Sequence, residues 1–116
     1  MAFRFESLQV WQRALDLSER INQLTKTFPK DEIYVLSSQM KRAADSVVLN
    51  IAEGSTGQTK AVFKVFLTYS FRSGIEVVSG LFIAQKRGYI ADELFTNLYN
   101  EYEILVKMIT ALKNSL

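Results

Sequence analysis

Apolar residues recur every three or four positions along almost the whole chain, and this period constrains the fold more than any other feature. In the first segment the repeating residues are Leu8, Trp11, Ala14, Leu17, Ile21, Leu24 and Phe28. Such spacing places apolar side chains on one face of an α-helix, whereas a half-buried strand would show strict alternation. Three short breaks, at residues 28–30, 54–58 and 88–91, interrupt the period. The sequence therefore predicts an all-α protein with four helices.

The expected helix boundaries follow from capping residues, the single proline and two glycines. Ser7 and Thr59 are expected N-caps, Pro29 separates the first two helices, and Gly54 and Gly88 end the second and third. The first three helices are expected at residues 7–27, 31–53 and 59–88. Apolar residues of the fourth helix are Phe95, Leu98, Tyr102, Leu105, Ile109, Leu112 and Leu116.

The short connections between these segments also constrain the architecture. They leave no room for crossovers, so neighbouring helices must turn back on each other. Area-scaling laws give roughly 6,400 Å² of folded surface against roughly 19,000 Å² for the extended chain, which is enough burial for one core. We therefore expect an antiparallel, up-down-up-down four-helix bundle that forms a single domain over residues 1–116.

Cysteine and histidine are both absent from the 116 residues, and this removes most enzyme classes. Disulfides, thiolate nucleophiles, the usual zinc sites and His-based proton transfer are excluded. No phosphate-binding loop or nucleophile–base pair appears, so we expect no enzymatic activity and no cofactor. The start of the chain has no signal-peptide run, and Lys64, Arg72 and Glu76 interrupt its most apolar stretch. These features predict a cytoplasmic protein without a membrane span.

Basic residues concentrate in the middle of the chain. Residues 41–87 contain seven basic and three acidic side chains, against seven and nine elsewhere. Arg42 and Arg72 lie at similar distances from the intervening turn, so an antiparallel hairpin would set them at similar heights. The candidate nucleic-acid-binding residues are Lys41, Arg42, Lys60, Lys64 and Arg72. The alternative is a solvated face with an ion pair between Arg72 and Glu76, one turn apart.

The third helix has a second apolar row beside its core-facing residues, formed by Phe71, Ile75, Val78 and Phe82. One interpretation is a wide core stripe on the most buried helix. The other is a subunit interface, which Gly74 and Gly80 support, because glycine inside a helix costs about 1 kcal/mol relative to alanine unless close packing requires it.

The end of the second helix breaks two local rules. Asn50 occupies a core-facing position, and Glu53 puts a negative charge at the negative end of the helix dipole. We expect both to cap the turn, together with Gly54 and Thr59, through the amides that start the third helix or through nearby hydroxyl and amine groups. A metal site that pairs Glu53 with Glu76 is the alternative.

Several motifs together resemble the 23S rRNA intervening-sequence protein family. They are NIAEGS at residues 50–55, the preceding SSQMKRAADSV run, LQVWQRA near the start, Glu76, and GYI at residues 88–90. The resemblance covers nearly the whole chain with the motifs in order. It implies a small bacterial four-helix bundle, related to the accessory protein of diversity-generating retroelements. It also implies a homopentamer with a basic surface and an RNA or DNA partner, in which Lys41 and Arg42 match the family's basic pair.

These observations lead to two functional hypotheses. The first is a non-enzymatic, oligomeric accessory protein that associates with RNA or DNA through a basic surface on the second and third helices. The second is an oligomeric scaffold that binds a protein, such as a reverse transcriptase or an RNA-processing factor, without touching nucleic acid. Steep salt dependence of RNA binding would separate them, because phosphate contacts release counterions.

Overall fold

A computed structural model describes residues 2–57 and 59–116, and this part of the chain contains four long α-helices and no strand. The helices are α1 (Gln9–Thr25), α2 (Leu36–Gly54), α3 (Lys60–Lys86) and α4 (Asp92–Ser115). Short 3-10 helices at Arg4–Ser7 and Lys30–Glu32 precede α1 and α2. The predicted all-α four-helix bundle is confirmed.

The core of the bundle is formed by the residues that repeat at helical spacing. The molecule measures 43 × 23 × 23 Å, as expected for helices that lie side by side. Fully buried side chains come from all four helices, and the largest include Tyr102, Phe63, Ile21, Met40, Ile51, Leu67, Leu81, Leu98, Leu105 and Ile109. Within the described residues, α1–α4 include no segment with the length and hydropathy of a bilayer-spanning helix.

Helices α2 and α3 form the most extensive contact of the bundle, and glycine permits it at two levels. A Cβ atom on Gly54 would lie 2.7 Å from Cβ of Phe66 and 2.8 Å from a ring carbon of Phe63. A Cβ atom on Gly80 would lie 2.7 Å from Cγ of Met40. The last turn of α2 thus faces the first two turns of α3, and the first turns of α2 face the later part of α3.

Gly54 and Ser7 have roles that differ from the predicted ones. Gly54 is the last residue of α2 and is required for close packing, whereas the left-handed backbone that leaves the helix belongs to Gly57, with φ of +85°. Ser7 does not cap α1, because its hydroxyl donates to the carbonyl of Arg4 in the preceding 3-10 helix.

Helix α2 begins at Leu36, five residues later than the sequence predicts. Val35 has a non-helical backbone (φ −121°, ψ −99°), and Ile33, expected on the buried face, is 50% exposed. Glu32, expected within the helix, lies instead in the short 3-10 helix before it, and the backbone amide of Leu36, the first residue of α2, helps to lower the pKa of its carboxylate.

Glu32 joins the connection between α1 and α2 to the turn after α3. Glu32 is only 7% exposed, and its carboxylate accepts hydrogen bonds from the Tyr89 hydroxyl at 2.8 Å and from the Arg87 guanidinium at 2.9 Å. The hydrogen bond from Tyr89, with a further contribution from the charge of Arg87, lowers the pKa of Glu32 although burial opposes this. The same hydrogen bond raises the pKa of Tyr89.

Replacing Glu32 with glutamine should weaken the fold at neutral pH and reduce its sensitivity to acid. Because the pKa of Glu32 is lower in the folded than in the unfolded state, its carboxylate stabilises the fold above the unfolded value of about 4.3. That stabilisation is lost as the pH falls through the folded pKa. Glu32→Gln should therefore have a lower Tm than wild type near neutral pH and a smaller decrease in Tm below about pH 4.

Thermal unfolding followed by circular dichroism across this pH range measures both effects. Glu103→Gln is the control, since Glu103 is exposed and its carboxylate lies 3.9 Å from Lys107 on the same helix. If the Tm of Glu32→Gln and that of wild type decrease in parallel as the pH falls, the ionised carboxylate of Glu32 does not stabilise the fold.

Candidate nucleic-acid interface

Helix α3 projects a line of basic side chains away from the core. Lys60, Lys64 and Arg72, the basic line of α3, are separated by multiples of four residues, so the line turns slowly around the helix. Lys60 and Arg72 are exposed, and Lys64 is partly exposed. Within residues 2–57 and 59–116, none of the three forms an ion pair. Their charges are available to an anionic partner.

Helix α3 begins with a capped first turn, which orients the start of this line. The hydroxyl of Thr59 accepts a hydrogen bond from the amide of Val62 at 3.2 Å. An N-cap of this kind satisfies one of the backbone donors that the first turn leaves without an intrahelical partner. The cap sets where α3 begins, and Lys60 is its first residue.

Arg42 and Arg72 do not lie at the same height, which corrects the expectation from the sequence. The hydroxyl of Ser73 donates to that of Ser46 at 2.9 Å, and this contact defines the register of α2 against α3. Arg42, four residues before Ser46, therefore lies near the level of Glu76, about 7 Å along the axis from Arg72. The expected ion pair between Arg72 and Glu76 is not formed among the described residues.

Lys41 lies on a different surface from the basic line of α3. It lines a groove between α1 and α2 together with Asp16, Glu19 and Asp45. Because successive helical residues point about 100° apart, Arg42 turns away from this groove. The structure thus places Lys41 in acidic surroundings, apart from the other four basic residues predicted to bind nucleic acid.

Two further basic residues, one beside the basic line of α3 and one over the buried ring of Phe63, were not predicted from the sequence. Lys113 of α4 lines a groove with Thr68 and Phe71 of α3. Arg4 places its guanidinium 5.2 Å from the ring centre of Phe63, within the range of a cation–π contact. Both positions depend on how distant segments pack, and no local motif around residues 4 or 113 signals them.

The second apolar row of α3 follows the edge that α3 shares with α4. The ring of Phe82 packs edge-on against Phe95 and Tyr99 of α4, with ring centres 5.0 and 6.0 Å apart. Val78 is partly buried and packs against the core, and Phe71 lies in the groove beside Lys113. Ile75 is 48% exposed, and Phe82 is equally accessible despite its contacts. The row therefore contributes to helix packing and still presents apolar surface.

Asn50 supports the contact between α2 and α3 and does not cap the turn. Its side-chain amide donates to the carbonyl of Ser46 at 2.8 Å and to the Ser46 hydroxyl at 2.9 Å. That hydroxyl also accepts the hydrogen bond from Ser73. The partners expected across the turn, at the start of α3, are therefore wrong for Asn50.

Glu53 is exposed, and its side chain has no hydrogen-bond or ion-pair partner among the described residues, so its expected capping role is also wrong. Glu76 lines a groove with Met40 and Gly80, far along α2 from Glu53, which rules out a metal site shared by the two carboxylates. Over residues 2–57 and 59–116, no group of three or more acidic side chains has the arrangement of a metal site.

Comparisons with known proteins agree with this architecture. The family model described as "23S rRNA-intervening sequence protein" matches residues 6–111. Five chains of solved structures match. One is a protein with unknown function from the S23 ribosomal protein family of Bacteroides thetaiotaomicron, with a TM-score of 0.83. The match covers 90% of this chain and 95% of that one. Because the sequence identity is only 24%, the similarity shows the fold alone. No curated protein matches the sequence.

Substitutions at the end of α2 should separate Asn50 from Glu53. Asn50→Ala should lower the free energy of unfolding by about 1 kcal/mol, because it removes the hydrogen bonds to Ser46. Glu53→Ala should leave stability unchanged or raise it by up to about 1 kcal/mol, because it removes a negative charge from the negative end of the helix. Urea unfolding measures both values, and Asn100→Ala on the exposed side of α4 is the control. A loss at Glu53 as large as at Asn50 would contradict this assignment.

Proposed function

Because the chain belongs to the 23S rRNA-intervening sequence protein family, we propose that it is a non-enzymatic, oligomeric accessory protein that associates with RNA or DNA. The observation that carries the proposal is the basic line of α3, whose three cations have no acidic partner in the described structure. Cations of this kind neutralise phosphates and release counterions, which supplies most sequence-independent affinity. Contacts to phosphates position the nucleic acid without reading its bases.

Lys113 extends this surface, because it lies across the groove from Thr68 and Phe71 of α3. Arg42 lies on the exposed side of α2, and Arg4 lies over the buried ring of Phe63. Glu76 follows Arg72 by one turn and limits the positive stretch in that direction. We assign no catalytic step, because the chain contains neither cysteine nor histidine.

The second apolar row supports the oligomeric part of the proposal. Phe71, Ile75 and Phe82 all expose apolar surface, as do Val65 and Ile83 on the same helix. Several exposed apolar side chains on one helix are typical of an interaction surface, and α3 would be buried more completely in an assembly. We propose a closed ring of subunits, with five copies as the family resemblance implies.

The same apolar row also favours the second candidate, a scaffold for a protein partner such as a reverse transcriptase or an RNA-processing factor. In that case the basic line of α3 is only a solvated surface. The two candidates differ in the salt dependence of RNA binding, because only phosphate contacts produce a steep slope.

Charge reversal on α3 tests the nucleic-acid proposal. Binding of wild type to single-stranded RNA should weaken with salt, with a logarithmic slope of about −3 for four or five phosphate contacts per protomer. The variant Lys64→Glu/Arg72→Glu should bind single-stranded RNAs of unrelated sequence more weakly and to a similar extent. Its salt slope should be smaller in magnitude by about 1.4, because two phosphate contacts are removed. Fluorescence anisotropy titrations over a range of salt concentrations give both quantities.

The matched control is Lys41→Glu/Lys107→Glu, which makes the same change in net charge. Lys41 lies among acidic side chains between α1 and α2, and Lys107 lies beside Glu103 on α4. The control should retain most of the wild-type affinity and slope. If the folded α3 variant binds RNA as tightly as wild type with an unchanged slope, the scaffold candidate is favoured.

Ile75 offers the sharpest test of the assembly, because Phe71 and Phe82 also pack against α4. Ile75→Asp should give smaller species by light scattering while circular dichroism shows an intact helical fold. Ile104→Asp, at a residue of α4 with similar exposure, is the control and should leave the assembly unchanged. Wild-type protein that is monomeric at micromolar concentration would contradict the ring.

A further inference from the structure

The second apolar row of α3 has a cation beyond each of its ends. Lys64 and Lys86 each lie eleven residues from Ile75, one on either side, so both point within about 20° of it. Neither forms an ion pair in the part of the chain that the structure describes. On the α4 side, Lys113 lines the groove beside Phe71. The row is therefore an apolar surface bordered by positive charge.

This border limits what can cover the row. If two copies met row against row, a two-fold axis along the helix would oppose Lys64 to Lys64. A two-fold axis across the helix at Ile75 would oppose Lys64 to Lys86. Both arrangements bring like charges together, which costs free energy. The row therefore fits an apolar surface that is bordered by carboxylates.

Helix α2 carries a surface of this kind around Leu49. This side chain is 60% exposed, the largest fraction for a large apolar residue of α1–α4 in the described chain. Asp45 and Glu53 lie four residues on either side, share its face and are exposed. The three residues form the acidic stripe of α2. Glu53 lies unfavourably at the negative end of its helix, and its side chain has no partner within the described subunit.

Leu49 of this stripe and Phe71 of the row lie at nearly the same height. The hydrogen bond between Ser46 and Ser73 sets the register of their helices. Leu49 lies three residues after Ser46, a displacement of about 4.5 Å, and Phe71 lies two residues before Ser73, about 3 Å. Because the end of α2 faces the start of α3, both displacements have the same direction.

Glu53 and Lys113 are also level with each other. Glu53 lies seven residues, about 10.5 Å, beyond the hydrogen-bonded serine of α2. A Cβ atom on Gly74 would lie 2.9 Å from Val106, and Lys113 lies seven residues beyond Val106 in the same direction, beside Phe71. Two copies that lie side by side without an axial shift would therefore match both pairs.

We propose that the acidic stripe of α2 receives the second apolar row of another copy of this chain, with Leu49 against Phe71 and Glu53 beside Lys113. The inference rests on the oligomeric part of the proposed function and adds the surface that the row contacts. Because the two surfaces differ, copies join head to tail, and contacts of this kind either close a ring or extend a filament.

A mixing experiment tests the head-to-tail contact. Leu49→Asp should give smaller species by light scattering, as Ile75→Asp does, while circular dichroism shows an intact helical fold. Leu49→Gln, which is uncharged and compatible with a helix, should act in the same direction. Leu49→Asp retains its row and Ile75→Asp retains its stripe, so an equimolar mixture at high concentration should contain dimers that neither variant forms alone. Ile104→Asp is the control and should assemble as wild type does.

Charge exchange tests the pairing of Glu53 with Lys113. Glu53→Lys should raise the subunit concentration at which the assembly is half dissociated by roughly tenfold or more, because it opposes two cations. Glu53→Lys/Lys113→Glu should restore most of the wild-type value. Glu103→Lys, beside Lys107 on α4, is the control and should leave the value unchanged.

The outcomes separate this inference from the proposed function. If Leu49→Asp assembles as wild type does while Ile75→Asp dissociates, the stripe is not the receiving surface and the proposed assembly stands. A mixture no larger than its separate components overturns the head-to-tail contact, and a double variant as weak as Glu53→Lys overturns the pairing. If wild type is monomeric, both the inference and the proposed assembly fail.

Discussion

The close approach of α2 and α3 determines how the rest of the molecule is arranged. Because Gly54 has no side chain, Phe63 and Phe66 at the start of α3 can pack against it, and Met40 packs against Gly80 in the same way. Between these two levels, the hydrogen bond that joins Ser46 and Ser73 lies in the middle of the interface. Together they define one register, since a shift by one residue would drive a Cβ atom into a neighbour or break the hydrogen bond. Every charge on α2 and α3 takes its position from this register.

Helix α3 combines three roles that usually belong to different elements. One side fills the core, one edge carries apolar residues beside α4, and cations lie on surface that faces away from the core. The combination is compatible with a helix because side chains three and four residues apart share a face, while the others point elsewhere. Lys64 lies seven residues before Phe71 and eleven before Ile75, so it shares a face with the second apolar row, whereas Arg72 lies further around the helix.

The fold class was predictable because it depends on local spacing, whereas the site depends on contacts between distant segments. The apolar period alone predicted four helices, and the family resemblance agreed with the later match. The predicted start of α2 was wrong, and the side chains that bind Glu32 in this connection, Arg87 and Tyr89, lie more than fifty residues away. Likewise, the sequence grouped Lys41 with the other basic residues, because most of the acidic side chains around Lys41 belong to α1, which is distant in sequence. No local pattern in the sequence reports such pairings.

The short turn between α2 and α3 has a consequence for how the chain folds. Only residues 55–59 separate the two helices that share the largest interface, so closing this loop costs little conformational entropy. Contacts between near neighbours in sequence tend to form early in helical proteins. The transition state for folding is therefore expected to contain the α2–α3 hairpin. Substitutions in that hairpin should change the folding rate, whereas those in α1 or α4 should change mainly the rate of unfolding.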